Sequence, residues 1–355
     1  MSASPRLAQI STIARLQLRR VFFSKRSFWV YLLAFFPSVV FLGHGIEVKL
    51  NQNRWASQVT PVEVLESIRE GDSDQSVIER AGEPARDFSH GGRRGGDETQ
   101  FRNLTYFDGG DRWFFRFEAG ILQGIGRRPL VNFEEDRTIY AAFFQYFFLR
   151  LAVFFGCLGI FMNLFRGEML DKTLHYWFLL PAKREVLLAG KYLAGLAASV
   201  IIFGTGAALA FLLMLWPQDA AQASAFWSSQ GMAHLFWYAA SAALACVGYG
   251  SIFLAAGLLL RNPIIPAIVI LSWENISGVL PAIFQKMSVL YYAQSLCPVP
   301  APMDEGAPLL IRLLSAPAEP PTAAVAVLGL LALTALVLWA ASRAVRRLEI
   351  DYGVE

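Results

Sequence analysis

The sequence predicts an all-α polytopic membrane protein with six transmembrane helices, and three observations support this fold class. The chain has 355 residues, of which 55% are hydrophobic and only 17% are charged, whereas soluble domains carry about 25% charged residues. The apolar residues lie in long runs without charge, which is typical of segments that cross lipid. The basic residues collect beside alternate ends of these runs, as expected for loops that face the cytoplasm. A free cytosolic enzyme is therefore excluded.

The lengths of the apolar runs define the spans. A helix needs about 20 residues to cross a hydrocarbon core of about 30 Å, and three runs without charge satisfy this on their own, at 27–46, 192–215 and 320–342. A fourth span is predicted within a longer uncharged stretch, and two more contain one charge each. The predicted organisation is an amphipathic helix (1–26), span 1 (27–46), an extracytoplasmic domain (47–138), span 2 (139–165), a cytoplasmic loop (166–191), span 3 (192–216), an outer loop (217–232), span 4 (233–260), span 5 (262–284), a Pro-rich outer segment (285–320), span 6 (321–342) and a cytoplasmic tail (343–355).

Charge asymmetry predicts the orientation. The N-terminal segment, the loop at 166–191, the short turn at Arg261 and the C-terminal tail together hold 15 basic and 6 acidic residues. The long loop at 47–137 holds 13 basic and 17 acidic residues. Lys and Arg mark cytoplasmic loops, so both termini are predicted to be cytoplasmic. The overall net charge of +3 conceals this asymmetry and does not indicate a nucleic-acid partner.

The N-terminal segment has the pattern of an amphipathic helix. Apolar residues such as Leu7, Ile10 and Leu18 recur at helical spacing, while Arg15 and Arg19 fall on another face. Such a helix is expected to lie on anionic membrane lipids; the alternative is a solvated tail. A cleaved signal peptide is disfavoured because the following apolar run is too long and lacks a small-residue cleavage site.

The loop at 47–138 is predicted to be a small extracytoplasmic domain without catalytic residues. A short helix is expected after Pro61, and the glycine-rich, charged stretch at 82–100 is expected to be flexible. Residues 104–107 and 112–117 flank an Asp-Gly-Gly-Asp sequence and predict a hairpin.

Metal and hydrolase chemistry are not indicated. The three cysteines, Cys157, Cys246 and Cys297, are widely spaced, and the four histidines are scattered, so no zinc site or disulfide framework is predicted. The motifs H-E-x-x-H and G-x-S-x-G do not occur. A membrane-embedded hydrolase is therefore disfavoured.

The loop at 166–191 is the most informative cytoplasmic segment. On a helix starting near Gly167, polar residues fall on one face and apolar residues on another, and we expect this helix to lie along the membrane and to end before Pro181. A mixed-charge face on a short loop suits docking to a protein, although it could be an ordinary solvated face. The polar face consists of Glu168, Asp171, Lys172 and His175.

This loop resembles that of the permease subunits of type-2 ATP-binding-cassette (ABC) exporters. The shared pattern is G-E, then T-L, then P-x-x-R and finally G-K at the start of span 3. A weaker likeness follows in span 5 and the next outer loop, at Ser272–Asn275, Pro281, Ser288 and Tyr291–Tyr292. The loop residues that match are Gly167, Glu168, Thr173, Leu174, Pro181, Arg184, Gly190 and Lys191.

The resemblance implies a bacterial inner-membrane permease that pairs with a second permease subunit, identical or paralogous, and docks a separate ATPase. ATP and magnesium would bind to that ATPase. The sequence itself has no G-x-x-x-x-G-K-[ST] phosphate loop, so no enzymatic activity and no cofactor are expected in this chain. The residues that the resemblance and the polar face together assign to ATPase coupling are Gly167, Glu168, Asp171, Lys172, Thr173, His175, Pro181, Lys183 and Arg184.

Two charges, Arg150 and Glu274, are predicted to lie within the membrane, where a charge costs at least about 2.5 kcal/mol. Three interpretations remain open: an ion pair between them, a helix break near 274–281 that lets span 5 re-enter the membrane, or a proton or ion relay. The relay supports the main alternative function, a secondary transporter driven by an ion gradient through Glu274. Paired phenylalanines in span 2 could line a path for a lipid-like substrate, but such rings more often face lipid or other helices. The sequence does not identify the substrate.

Overall fold

The computed structural model describes residues 5–23, 27–55, 58–94, 97–173, 176–177, 179, 182–260, 262–278, 280–300 and 320–346. Within these residues the chain is mostly helical. The helices are α1 (Pro5–Phe23), α2 (Ser27–Trp55), α3 (Val62–Glu66), α4 (Asp74–Ala81), α5 (Phe133–Leu170), α6 (Arg184–Leu215), α7 (Ala220–Leu259), α8 (Ile264–Ser277), α9 (Ala282–Gln285), α10 (Val289–Gln294) and α11 (Ala323–Arg346).

Five of the described helices, α2, α5, α6, α7 and α11, are long and apolar enough to cross a membrane. This agrees with the predicted class of polytopic helical membrane protein. The fifth predicted span differs, because α8 has 14 residues and is about 21 Å long at 1.5 Å per residue. The chain breaks after Ser277 and continues as the short helices α9 and α10. A break near 274–281 is thus present, and among the described residues no sixth helix is long enough to be a full-length span.

Other helix boundaries in the structure also differ from the predicted span boundaries. Helix α5 extends beyond predicted span 2 at both ends, and α6 begins at Arg184 instead of residue 192. The predicted outer loop at 217–232 is corrected, since α7 begins at Ala220. Polar residues in this stretch suggested a loop. In the structure the hydroxyls of Ser224, Ser228 and Ser229 each donate to a backbone carbonyl within the helix. These bonds remove the free-energy cost of leaving the hydroxyls unsatisfied in a helix.

The chain divides into two compact units. The helical unit comprises residues 1–41, 137–214 and 221–355, and the sheet unit comprises residues 42–136 and 215–220. In the helical unit, α7 packs against α5, α10 and α11. One ring of each phenylalanine pair in span 2 (Phe144, Phe148 and Phe154) is buried in this core, which favours a packing role over a lining role.

Close helix packing in the helical unit depends on glycine. A Cβ atom at Gly206 on α6 would collide with the backbone carbonyl oxygen of Ala34 on α2, whereas one at Gly204 would meet no atom within 4 Å. Small residues allow backbones to approach in this way, and packing is the main attraction between helices in lipid.

Gly206→Ala is therefore expected to lower the thermal stability of the detergent-solubilised protein, because the α2 backbone must move away. Gly204→Ala, on the same helix, is the matched control and should match the wild type. Thermal unfolding followed by size-exclusion chromatography measures the difference, and equal stability of the two variants would contradict the close contact.

The sheet unit holds a four-stranded antiparallel sheet in the order β1 (Arg86–Arg94), β2 (Asp97–Phe107), β3 (Asp111–Glu118) and β4 (Ile121–Pro129). The predicted hairpin is confirmed as β2–β3. Its turn forms because the Asp108 carboxylate accepts from the backbone N–H groups of Gly110 and Asp111 and because Gly109 has a φ of +102°. The short helix predicted after Pro61 is confirmed as α3.

The segment at 82–100, expected to be flexible, instead contributes all of β1 and the start of β2. Its glycines lack local strand propensity, but backbone pairing along β1 and β2 compensates. Helices α3 and α4 pack on one face of the sheet. The core there consists of Leu65, Ile68, Val77, Leu104, Tyr106, Trp113, Phe115, Phe117 and Leu122.

An ion pair at the edge of the sheet predicts acid sensitivity. Arg102 donates to both oxygens of Asp87, at 2.6 and 3.1 Å, and these hydrogen bonds lower the pKa of Asp87 below its ordinary 3.8. Because the folded-state pKa is the lower one, the pair stabilises the fold above about pH 4, and this contribution disappears as pH falls through the folded pKa. The protection factors of the β1 and β2 amides, which correct hydrogen exchange for its intrinsic pH dependence, should fall on acidification, and they should fall less in Asp87→Asn. An identical acid response in the variant would contradict the assignment.

Candidate functional site

The candidate coupling site lies where α5 ends. Instead of starting near Gly167, the helix at this point is the continuation of α5 through Leu170, which corrects the predicted helix along the membrane. It ends in a Schellman motif: the Thr173 N–H donates to the Glu168 carbonyl at 2.9 Å and the Lys172 N–H to the Met169 carbonyl at 3.2 Å. Lys172 supplies the left-handed residue that this motif needs, with a φ of +54°.

Glu168, predicted to be exposed, is buried in a polar cluster with only 2% of its surface accessible. One carboxylate oxygen pairs with the Lys191 ammonium, which is fully buried. The other accepts from the Gln17 amide at 2.8 Å and from the Arg20 guanidinium at 3.3 Å. The cluster therefore joins α1, α5 and α6 through one carboxylate.

Lys191 is held by further groups. Its ammonium donates to the Leu164 carbonyl and lies 4.8 Å from the ring centre of Phe165 and 5.3 Å from that of Trp177. Cation–π contacts of this kind strengthen when they are desolvated. A buried charge persists only when it is paired and hydrogen-bonded, and Lys191 meets both conditions.

Arg184, assigned by the resemblance to coupling, caps another helix. Its guanidinium donates to the carbonyls of Val345 and Arg346, at 3.3 and 3.1 Å, which are unpaired at the end of α11. A positive group at a helix C-terminus is also favoured by the helix dipole. Glu185 forms an ion pair with Arg346 next to it. The start of α6 is therefore tied to the end of α11.

We call the exposed groups between α5 and α6 the docking surface, after the ATPase contact that the sequence predicts; they are Asp171, Lys172, Tyr176, Leu179 and Lys183. All five are exposed, including 64% of Tyr176 and 78% of Leu179. Gly167 is buried in α5 and Thr173 is half-buried. His175 and Pro181 lie outside the described residues.

Sequence reasoning missed the partners of Glu168. Gln17 and Arg20 lie in the predicted amphipathic helix at 1–26 and had no predicted contact with Glu168. Lys191 was named only as part of the G-K pair at the start of span 3. One signal was available, since Lys191 is the single charge within the otherwise uncharged stretch at 186–215. A charge in such a position calls for a partner of opposite sign.

The intramembrane charges do not pair with each other. The Arg150 guanidinium donates to the side-chain oxygen of Asn275 at 3.1 Å, beside Glu274. The Glu274 carboxylate accepts from the Ser288 hydroxyl and from the N–H groups of Val289 and Leu290, at 3.0 and 3.3 Å. The predicted ion pair is corrected: Glu274 instead fastens α8 to the first turn of α10, across the helix break.

Within the part of the chain that the structure describes, no group of three or more His, Cys, Asp or Glu side chains could hold a metal ion. Comparison of the chain with protein-family models, with curated proteins and with solved structures finds no match. The likeness of the loop to type-2 ABC permeases therefore stays a prediction.

Proposed function

We propose that this protein is the membrane-spanning permease subunit of an ABC exporter in a bacterial inner membrane, with both termini in the cytoplasm. Energy for moving its substrate would come from ATP hydrolysis on a separate nucleotide-binding subunit that binds ATP and magnesium. A second permease subunit would complete the path.

One observation carries this proposal: the docking surface is joined directly to four helices. Asp171 and Lys172 lie at the end of α5, three residues beyond the carboxylate that holds α1 and α6. Lys183 precedes Arg184, which holds the end of α11. A force on this surface would reach α1, α5 and α6 through the buried contacts of Glu168 and α11 through the partly exposed contacts of Arg184, which is what a subunit driven by an external ATPase requires. Transmission of this kind depends on contiguous contacts of packed and hydrogen-bonded groups.

The alternative, an ion-coupled transporter, loses support from the geometry of Glu274. Both oxygens of this carboxylate accept hydrogen bonds from the first turn of α10 or from the Ser288 hydroxyl that precedes it, so both oxygens are engaged in holding the fold. A relay group must instead gain and lose its proton during transport. The contacts of Glu274 fit a structural fastening.

The proposal predicts that charge reversal on the docking surface separates the permease from its ATPase. The tagged chain is purified from native membranes in mild detergent, and vanadate-sensitive ATP hydrolysis in the eluate is measured. Asp171→Lys combined with Lys183→Glu should lose most of this activity, because both residues are exposed and their charges face the partner. Asp219→Lys combined with Lys286→Glu alters two exposed charges elsewhere and is the matched control.

Retention of full ATP hydrolysis by the docking variant would contradict the docking surface. Transport by the chain alone in liposomes, driven by an ion gradient without ATP, would contradict the exporter itself.

A further inference from the structure

The sheet unit has a second face that lies outside the main core, although Thr105 and Phe107 on this face are buried. Side chains alternate along a strand, so Trp113, Phe115 and Phe117 of β3 face helices α3 and α4. The residues between them, including Phe114 and Arg116, point to the opposite face. We call this the open face. Four arginines lie on it by register, at Arg86, Arg112, Arg116 and Arg128.

The arginines of the open face differ from the others in the sheet. Arg102 pairs with Asp74 and Asp87, and Arg127 pairs with Asp111. In contrast, Arg86, Arg116 and Arg128 are exposed and form no ion pair with any described residue.

Two of these positive charges also oppose each other. Arg112 and Arg128 are direct cross-strand partners, an arrangement that destabilises a sheet. Burial, together with the charge of Arg128, lowers the pKa of Arg112. The carboxylates of Glu47 and Glu135 partly offset the charge of Arg112. The other three arginines have no ion-pair partner among the described residues, and positive charge concentrated on one face favours an anionic ligand.

Flat apolar surface lies between the charges. Phe114 is half-buried, with Arg112 5.8 Å from its ring centre. Gly124 and Gly126 of β4 leave open space beside it: a Cβ atom at Gly124 would meet nothing within 4 Å, and one at Gly126 would approach only Phe114, at 3.8 Å. The result is a shallow trough along β4, bordered by guanidinium groups.

Aromatic rings continue this surface across β1 and β2. Phe88 is 55% exposed and lies 5.5 Å from the ring of His90, which stacks on Phe101 at 5.5 Å. The face therefore combines an aromatic row, a glycine trough and arginines. Arg112 and Arg116 are four residues apart on one strand, about 14 Å at 3.4 Å per residue, so only an extended ligand reaches both ends of the face.

We propose that the open face binds an acidic polysaccharide, whose carboxylates pair with Arg86, Arg116 and Arg128 while its flat sugar rings pack on Phe88, Phe114 and the glycine trough. Guanidinium groups bind carboxylates through two parallel hydrogen bonds, and aromatic faces suit flat ligand rings. A single-stranded nucleic acid has similar chemistry, but the charge asymmetry of the chain predicts that residues 47–138 lie outside the cytoplasm. The inference is independent of the exporter proposal.

The test uses the full chain in nanodiscs of zwitterionic phosphatidylcholine and a fluorescent mannuronate hexasaccharide as the probe. Binding should be saturable and should weaken with salt, because it depends on charge. Arg116→Gln and Arg128→Gln should each weaken it about tenfold, the usual effect of losing a charge-assisted hydrogen bond. Phe88→Ser should weaken binding without changing its salt dependence.

Arg69→Gln is the matched control, since it removes an exposed arginine beside α3 and should leave binding unchanged. Circular dichroism verifies that all variants remain folded. Three results would overturn the inference: no binding of the acidic probe, equal binding of a neutral cellohexaose, or equal binding of a thymidine oligonucleotide, which would indicate a general polyanion surface. An equal loss in Arg69→Gln would overturn the assignment of the open face.

Discussion

Replacing Glu168 with leucine is expected to destabilise the helical unit strongly, because it leaves the fully buried Lys191 ammonium without its counter-charge. Removing one partner of a buried ion pair costs about 3–5 kcal/mol. Lys191→Met should cost less. In that variant Glu168 keeps the Gln17 amide and the Arg20 guanidinium, and Arg20 is about half exposed.

The double variant Glu168→Leu/Lys191→Met should recover much of the loss, since apolar replacement of a whole buried pair is often nearly neutral. Asp171→Asn is the control, because the Asp171–Arg20 contact is exposed and long at 3.5 Å and is expected to contribute little. Thermal unfolding of the detergent-solubilised variants, monitored by tryptophan fluorescence, measures their order of stability. Wild-type stability of Glu168→Leu, or a double variant less stable than either single one, would contradict the cluster.

This cluster also separates stability from coupling. The recovered double variant would hold its fold with α1, α5 and α6 no longer joined by a charge. If force from the ATPase passes through Glu168, the ATPase bound to the double variant should still hydrolyse ATP, but the rate of substrate transport should fall. Normal transport by the double variant would place the transmission elsewhere.

The second large effect is expected at Glu274. Glu274→Leu removes the acceptor for the Ser288 hydroxyl and for two backbone N–H groups, all of which are buried at the helix break. Each unsatisfied buried donor costs about 1–3 kcal/mol, so the connection from α8 to α10 should open and the yield of folded protein should fall. Ser288→Ala should reproduce part of this loss. Ser295→Ala, which removes a bond to the Tyr292 carbonyl one turn away, is the control.

Glu274→Gln distinguishes a fastening from a proton relay. The amide of the glutamine keeps one acceptor oxygen. If residue 274 only holds α8 to α10, Glu274→Gln should therefore have intermediate stability and partial transport. A relay predicts wild-type stability with transport abolished, because an amide cannot carry the proton. Wild-type stability with transport abolished would favour the ion-coupled transporter.

The features that depend on local pattern were predictable from the sequence. Uncharged runs are sufficient to identify membrane-crossing helices such as α2, α6 and α11, since a span of about 20 residues in lipid must be predominantly apolar. The 3.6-residue period of residues 7–21 predicted α1, and alternation around Asp108–Asp111 predicted the β2–β3 hairpin. In each case the deciding forces act within a few residues.

The features that failed depend on distant partners. Glu168 has the sequence context of a solvated helix face, and its burial is decided by Lys191 and by Gln17, which is 151 residues away. Residues 82–100 have the composition of a flexible segment, and they become strand only by pairing with neighbouring chain. Arg150 and Glu274 were candidates for an ion pair because both lie in predicted spans, but a position in a span does not determine which side chains come into contact.

The sequence by itself therefore determined that the chain is a membrane protein, where most of its long helices lie, and which loops carry positive charge, because hydrophobicity and charge are properties of single residues. Only the tertiary structure decided which charged side chains form specific contacts with other groups and which face water. It placed Glu168 in a buried junction of three helices, put Arg184 at the end of α11, made Glu274 a fastening across a helix break, and left Arg86, Arg116 and Arg128 of the open face without an ion pair to any described residue. Those outcomes depend on which groups become neighbours when the chain packs, and no local pattern encodes them.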